Sequence, residues 1–451
     1  MEGFEPMATS PNIPRRTALG ALLALPAASA LTACGAPGSG PATTAPRTIS
    51  TALPGEPTTL AMRANADQAP LWEALGSAFE DAYPQITVEV VTEDFAALQQ
   101  NGPRYLASQD APDLLRFPSP GDAVADGLLL PLQPYAEAYG WEDFPETQLN
   151  QWRIAADGHT RGDGDLYGLG VGFALVGLYT NTTALDGLGL SLPTSLEAMA
   201  EAMAAAKEAG LTPLVSSQAG LSNLLQNLMQ ATAAEQVSDW VLGKPGATIE
   251  GPETEAAAAT LLDWRDRGFL APDVLAVDDA AALSAFTAGE GLFYIQGSWM
   301  AAAVDQSAAD IEVRFTVVPG TEPGSDLTAT SAPNSFVIPA KAEHPDLAAA
   351  FLNWASIDPA ARELLVATAG LLPGGPVEPE PVFTEGGALA DAAAAFTEVA
   401  EADRFVDFLA NASAGMLTGT LQPQIDLLID GQIDPAAFLA RLQEDVERER
   451  A

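Results

Sequence analysis

The chain predicts an α/β fold, and three observations lead there. Strand-like runs alternate with helical periodicity through the first third, as in Ile86, Val88 and Val90 between two amphipathic segments. Such alternation builds parallel β-α-β units. The stretch Ala285–Val304 repeats the pattern: a helix with Leu283 and Phe286 ends near Gly289, and a buried strand runs from Leu292 to Ile295. The turn Gln296-Gly297-Ser298-Trp299 follows, and Trp299 opens an Ala-rich helix. Open α/β folds bind ligands at such strand ends, so Trp299 and Gln296 are candidates for one wall of a cleft. Periodicity alone serves a core Trp299 equally well.

The elements follow in order. Thr59–Arg63 reads as a strand, Pro70–Tyr83 as a helix with Leu71, Leu75, Ala78 and Phe79 on one face, and Phe95–Ser108 as another helix. Leu114–Phe117 is a short apolar strand broken by Pro118-Ser119-Pro120-Gly121. The Gly/Asp-rich segment Asp157–Asp165 reads as a solvated hairpin loop; its Arg161-Gly162-Asp163 also admits adhesion or calcium binding. Tyr167–Thr180 is a strand pair or a crossover. Thr194 and Glu197 form a capping box for a helix with Leu196, Met199 and Met203 on one face. Thr212–Ser216 is a strand with Ser217-Gln218 at its end, and Ala256–Arg267 is a helix in which Trp264 packs. Strands follow at Val313–Val317 and Phe336–Ile338, and helices open at Pro345, Asp358-Pro359 and Asp434-Pro435.

Composition narrows the function classes. The 451 residues allow two or three domains. The net charge of −41 repels nucleic acid and anionic lipid. Cys34 is the only cysteine, and His159 and His344 are the only histidines, which leaves little for a disulfide, a zinc site or a His-dependent nucleophile. No catalytic residue, cofactor or metal is expected.

The first 33 residues read as an export signal. Arg15-Arg16 precedes the apolar run Ala18–Ala30, too short to span a membrane, and Leu31-Thr32-Ala33-Cys34 matches the lipobox of bacterial lipoproteins. That resemblance implies cleavage before Cys34 and lipid on its sulfur and new amino group. Arg15-Arg16 also looks like a twin-arginine signal, with Pro14 as a departure. Residues 34–57 form a flexible Gly/Pro/Ser/Thr tether.

From about Thr59 to the end the chain resembles the extracellular solute-binding proteins of bacterial ABC importers, the maltose-binding-protein class. The resemblance rests on Ala111-Pro112-Asp113-Leu114-Leu115, Leu178-Tyr179-Thr180-Asn181 before Leu192-Pro193-Thr194-Ser195-Leu196-Glu197, Phe286-Thr287-Ala288-Gly289-Glu290 leading to Gly297-Ser298-Trp299, and Val337-Ile338-Pro339-Ala340-Lys341 before the Leu347–Trp354 helix. It implies a type II two-lobed fold, each lobe a mixed sheet flanked by helices, with the ligand cleft between them. One lobe would hold 48–172 and 313–357, the other 173–312 and 358–451. Lobe closure on ligand, read by a membrane permease, is the implied action.

By the same resemblance Trp299 matches an aromatic that stacks on sugar. Phe117 and Ser119 match the rim of the first lobe, Ser217 and Gln218 that of the second, and Asn65, Asp67 and Asn334 are polar candidates. The resemblance implies a monomeric, non-enzymatic receptor for a carbohydrate, held at the outer face of the membrane by lipid on Cys34; the aromatic content of 7% points to a small ligand of one to three rings. A glycosidase with two carboxylates, or a receptor for a peptide or polyol phosphate, are the competing readings. The net charge of −41 disfavours an anionic solute unless a local basic pocket overrides it, and Arg63 and Arg116 are then the residues to watch.

Overall fold

The computed structural model describes residues 48–118, 120–376, 386–402, 404–413 and 415–449. The expected export signal, Cys34, the expected tether up to Arg47, and Ser119 lie outside the described residues. No described helix is long and apolar enough to cross a membrane.

The strands are β1 (Thr58–Asn65), β2 (Ile86–Glu93), β3 (Leu114–Arg116), β4 (Arg153–Ile154), β5 (Asp165–Leu166), β6 (Gly168–Asn181), β7 (Thr212–Val215), β8 (Gly291–Gly297), β9 (Val313–Thr316), β10 (Ala329–Val337), β11 (Leu372–Pro373) and β12 (Phe405–Asp407). All but the β4–β5 hairpin join one mixed sheet, ordered β2-β1-β3-β10-β6-β8-β7. Strand β1 runs parallel to β2 and β3, with the helix Ala69–Ala82 as the β1–β2 crossover. The expected β-α-β start is therefore present.

The segment read as a strand pair or crossover is one buried strand, β6. Residues 168–175 pair antiparallel with β10, and residues 176–181 pair with β8 and β9. Its glycines permit close approach: a Cβ on Gly177 would lie 2.4 Å from the Phe315 ring.

The apolar side chains sort on either side of this crossing. One core holds Leu60, Trp72, Phe79, Trp141, Phe336 and Phe351, and also Leu169, Val171 and Ala174 of β6. Another holds Val176 and Leu178 of β6 with Leu224, Trp240, Trp264, Phe293 and Phe438. Tyr179, Phe286, Tyr294 and Phe315 pack beside the latter half of β6. Each buried large apolar side chain contributes about 1.5–3 kcal/mol. The cores group two segments otherwise than the expected lobe boundaries. Phe315 follows its hydrogen-bonded neighbour β6 and packs with Tyr179, whereas Ala361 and Leu365 of the helix Pro359–Ala369 pack in the core of Trp72 and Phe351.

Helix starts follow local rules. Asp358 accepts from the N–H groups of Ala360 (2.9 Å) and Ala361 (3.3 Å), and Asp434 from that of Ala437 at 2.8 Å. At the helix Leu196–Glu208 the cap is Ser195, which accepts from Ala198 N at 3.1 Å, one residue after the expected Thr194.

The Asp157–Asp165 segment is the loop of the β4–β5 hairpin, exposed at Asp157 and at 162–165, but Arg161 departs from the expected solvated reading. Asp157 accepts from the backbone N–H groups of His159 (2.9 Å) and Thr160 (3.0 Å), forming a local turn. Arg161 is buried: Nη1 meets the carboxylate of Asp407 at 2.7 Å, and Nη2 donates to Val241 O (2.6 Å) and Asn411 O (2.5 Å). Its own N–H donates to Leu242 O at 2.9 Å. A guanidinium so enclosed is not offered to an adhesion partner. The loop leaves β4, whose Ile154 packs with Leu115 and Phe117, and its arginine is seated among residues of the core of Trp240.

Candidate solute-binding cleft

Strand ends converge on one cavity of about 550 Å³. That volume falls in the range of about 300–1,000 Å³ usual for small-molecule sites. Asn65 and Arg116, at the ends of β1 and β3, line it from the side of the Trp72 core. Gln296 and Trp299, at and just past the end of β8, line it from the side of the Trp240 core. Ala174 of β6 and Asn334 of β10 line it where those strands cross. Placement at strand ends is the general rule for open α/β sheets.

Trp299 is half-buried and packs against both cores. Its ring lies over Gly297, where a Cβ would come within 2.0 Å of it. The turn is pinned at two points: Ser298 Oγ accepts from Leu175 N (3.2 Å), and the Tyr179 hydroxyl donates to Gly297 O (2.9 Å). Tyr179 is buried, and desolvation pushes its hydroxyl well above the usual phenol range, so it remains a donor at physiological pH. The indole is thus held in position ahead of any ligand.

The polar groups are also held. Asn65 Nδ2 donates to Asp67 Oδ1 (2.7 Å), and Asn65 Oδ1 accepts from Trp72 Nε1 (3.3 Å). Gln296 Oε1 accepts from Gly297 N (3.0 Å), and its Nε2 donates to Asp279 Oδ1 (3.3 Å). Arg116 Nε donates to Asn334 Oδ1 (3.2 Å), and its Nη1 to Ser335 Oγ (3.1 Å). Burial brings the Arg116 pKa down to about 10, with the nearby charge of Asp67 acting the other way; the side chain stays cationic at neutral pH. Fixed donors and acceptors around one aromatic face suit a polar solute with an apolar side.

Of the residues expected from sequence, Asn65, Asp67, Gln296, Trp299 and Asn334 line this one cavity. Phe117 does not. It is buried with Leu98, Leu106 and Leu115, its ring against Gly102, because adjacent residues leave a strand on opposite faces and Arg116 takes the cavity side. Ser217 and Gln218 stand behind the wall rather than on it. Ser217 Oγ accepts from Gly220 N (2.9 Å) and its hydroxyl donates to the Asp279 carboxylate; Gln218 Nε2 donates to Asp426 at 2.9 Å. Ser119 lies outside the described residues. Arg63 pairs with Glu93 at 3.8 Å and covers the Tyr105 ring, leaving Arg116 as the only cation among the described residues that line the cavity.

Asn223 and Gln226, on the helix Gly220–Val241, escaped the sequence reading. A signal existed: Asn223, Gln226, Asn227 and Gln230 recur at i, i+3, i+4 and i+7, an amide stripe on a helix whose other faces are leucine-rich. Gln226 Nε2 donates to Asp407 O (2.8 Å) and its Oε1 accepts from Leu409 N (2.9 Å), fixing the segment that brings Phe408 and Ala410 to the wall.

The fold has counterparts among solved structures. A chitin oligosaccharide binding protein shares 20% identity over 87% of this chain and 99% of its own, with a TM-score of 0.69. The raffinose complex of RafE, a protein of Streptococcus pneumoniae, shares 17% over 87% and 100%, at 0.66. Maltose-bound MalE3 of T. maritima shares 15% over 87% and 100%, at 0.69. At these identities the likeness is one of fold, the two-lobed α/β architecture. No curated protein matches the sequence. The model of the bacterial extracellular solute-binding proteins matches residues 64–361, about two thirds of the chain, and this protein belongs to that family.

Proposed function

We propose that the protein captures a small carbohydrate in this cleft by lobe closure and passes it, unchanged, to the permease of an ABC importer. In this reading the two lobes follow the two cores, and β6 and β10 are the hinge strands. Lipid on Cys34 holds the receptor at the outer face of the membrane.

The supporting observation is the half-buried indole of Trp299 against both cores, facing a cavity ringed by fixed amides. An aromatic face suits the C–H side of a pyranose, and amides suit its hydroxyls. The solved relatives, described as complexes or receptors of chitin oligosaccharide, raffinose and maltose, point the same way. Binding to both cores favours the closed arrangement by the ligand's differential affinity for it.

A thermal-shift screen of mono- to trisaccharides tests the reading. A sugar present at 100 times its Kd stabilises the folded state by about 2.7 kcal/mol. No shift with any sugar, alongside a shift with peptides or polyol phosphates, contradicts the carbohydrate. Sugar recovered as cleavage products contradicts the receptor and supports a hydrolase. For the anchor, Cys34→Ser moves the protein from the membrane fraction to the medium; retention at the membrane contradicts it.

A further inference from the structure

We infer that the solute carries a carboxylate, as an acidic sugar does, and that Arg116 receives it; this rests on the carbohydrate reading above. Arg116 is 7% exposed yet lines the cavity. Its Nε and Nη1 are occupied by neutral acceptors, Asn334 and Ser335. Among the described residues no acceptor takes a hydrogen bond from Nη2, and no carboxylate pairs with the guanidinium. The Phe95 ring lies 5.5 Å from Cζ and excludes water from one side. A buried cation whose nearest opposing charge, Asp67, makes no ion pair with it is costly, and a ligand anion relieves that cost on binding. With Nε and Nη1 spent on Asn334 and Ser335, Nη2 is the nitrogen left to donate, and it suits one charge-assisted hydrogen bond to a carboxylate oxygen.

Three acids also line the cavity: Asp67, Asp94 and Asp279. Each already accepts internal donors. Asp67 takes Asn65, Asp94 caps a helix through Ala97 N (3.1 Å), and Asp279 takes Ser217 and Gln296. All three are solvent-exposed, so their repulsion is screened, whereas Arg116 acts in a drier setting. The one cation against three acids favours a single negative charge over the double charge of a phosphate.

The test compares, by calorimetry, a glucuronate-containing disaccharide, its methyl ester, the neutral disaccharide and a hexose phosphate. The free acid binds at least about ten-fold tighter than the ester and the neutral sugar, as a charge-assisted hydrogen bond implies. Arg116→Gln erases that preference, so that within the variant the free acid binds no tighter than its ester or the neutral sugar. The ester comparison uses the unaltered protein, so it stands even if the variant misfolds. Equal binding of acid and ester, or an unchanged preference in a folded Arg116→Gln, overturns the inference and leaves the carbohydrate reading intact. Tighter binding of the hexose phosphate overturns the carboxylate assignment. Binding of no sugar, acidic or neutral, overturns both.

Discussion

Replacing Arg161 with methionine tests how firmly the Asp157–Asp165 loop is tied to the rest of the molecule. The substitution keeps length and apolar stem but removes the charge. It deletes the contact to Asp407 at 2.7 Å and the hydrogen bonds to Val241 O and Asn411 O. Both side chains are nearly solvent-free, at 6% and 3% exposure, so water does not replace what is lost. Stranding one member of a buried pair costs about 3–5 kcal/mol, and that is the expected loss in urea unfolding at pH 7.

The pH dependence follows from Asp407. Burial already raises its carboxyl above the ordinary 3.8, with Arg161 opposing. Without the arginine the value climbs further. Between 3.8 and that folded value the native state holds a proton that the unfolded chain has lost, so stability falls as pH rises through the window. The variant's deficit relative to the parent therefore shrinks on going from pH 7 to pH 5. Arg161→Met with Asp407→Leu recovers much of the loss, since an apolar pair of similar volume is close to neutral. A single-variant deficit below about 1 kcal/mol, the magnitude of a surface ion pair, would refute the reasoning. A deficit independent of pH would refute it equally.

Two further outcomes concern the cleft. Trp299→Ala weakens sugar binding by about 2 kcal/mol or more, as loss of a buried aromatic anchor does, with the urea midpoint little changed; unchanged affinity or global unfolding returns the residue to a packing role. Gly297→Ala places a methyl within 2.0 Å of the indole and displaces it, so affinity falls although no ligand contact is deleted. Affinity equal to the parent's in that variant would show that the ring position is immaterial.

How much of this was legible beforehand depends on the range of the interaction. Helices and strands of the first third follow from local periodicity, and Ile86, Val88 and Val90 lie in β2 as their alternation requires. The Asp358-Pro359 start is a local signal too. The identity of β6 as one long crossing strand was not, because its run of glycine and apolar residues has no period, and only its partners β10, β8 and β9 give it direction. The rim residues show the same divide. Gln296 ends β8 and Trp299 sits in the turn that follows, so both positions follow from the strand. Phe117 and Arg116 exchange roles on a one-residue difference in strand phase, which a three-residue strand is too short to reveal. Arg161 looked solvated because its neighbours are Gly and Asp; its partner Asp407 lies 246 residues away in sequence.

Closure of the cleft on an unaltered sugar is tested by a crystal structure grown with the most stabilising saccharide of the screen. The expected density is an intact sugar ring stacked on the Trp299 indole, with hydroxyls bonded to amides from both walls, among them Asn65 and Gln296. Sugar bound elsewhere, a cleaved product in the cleft, or contacts to one wall alone would contradict it.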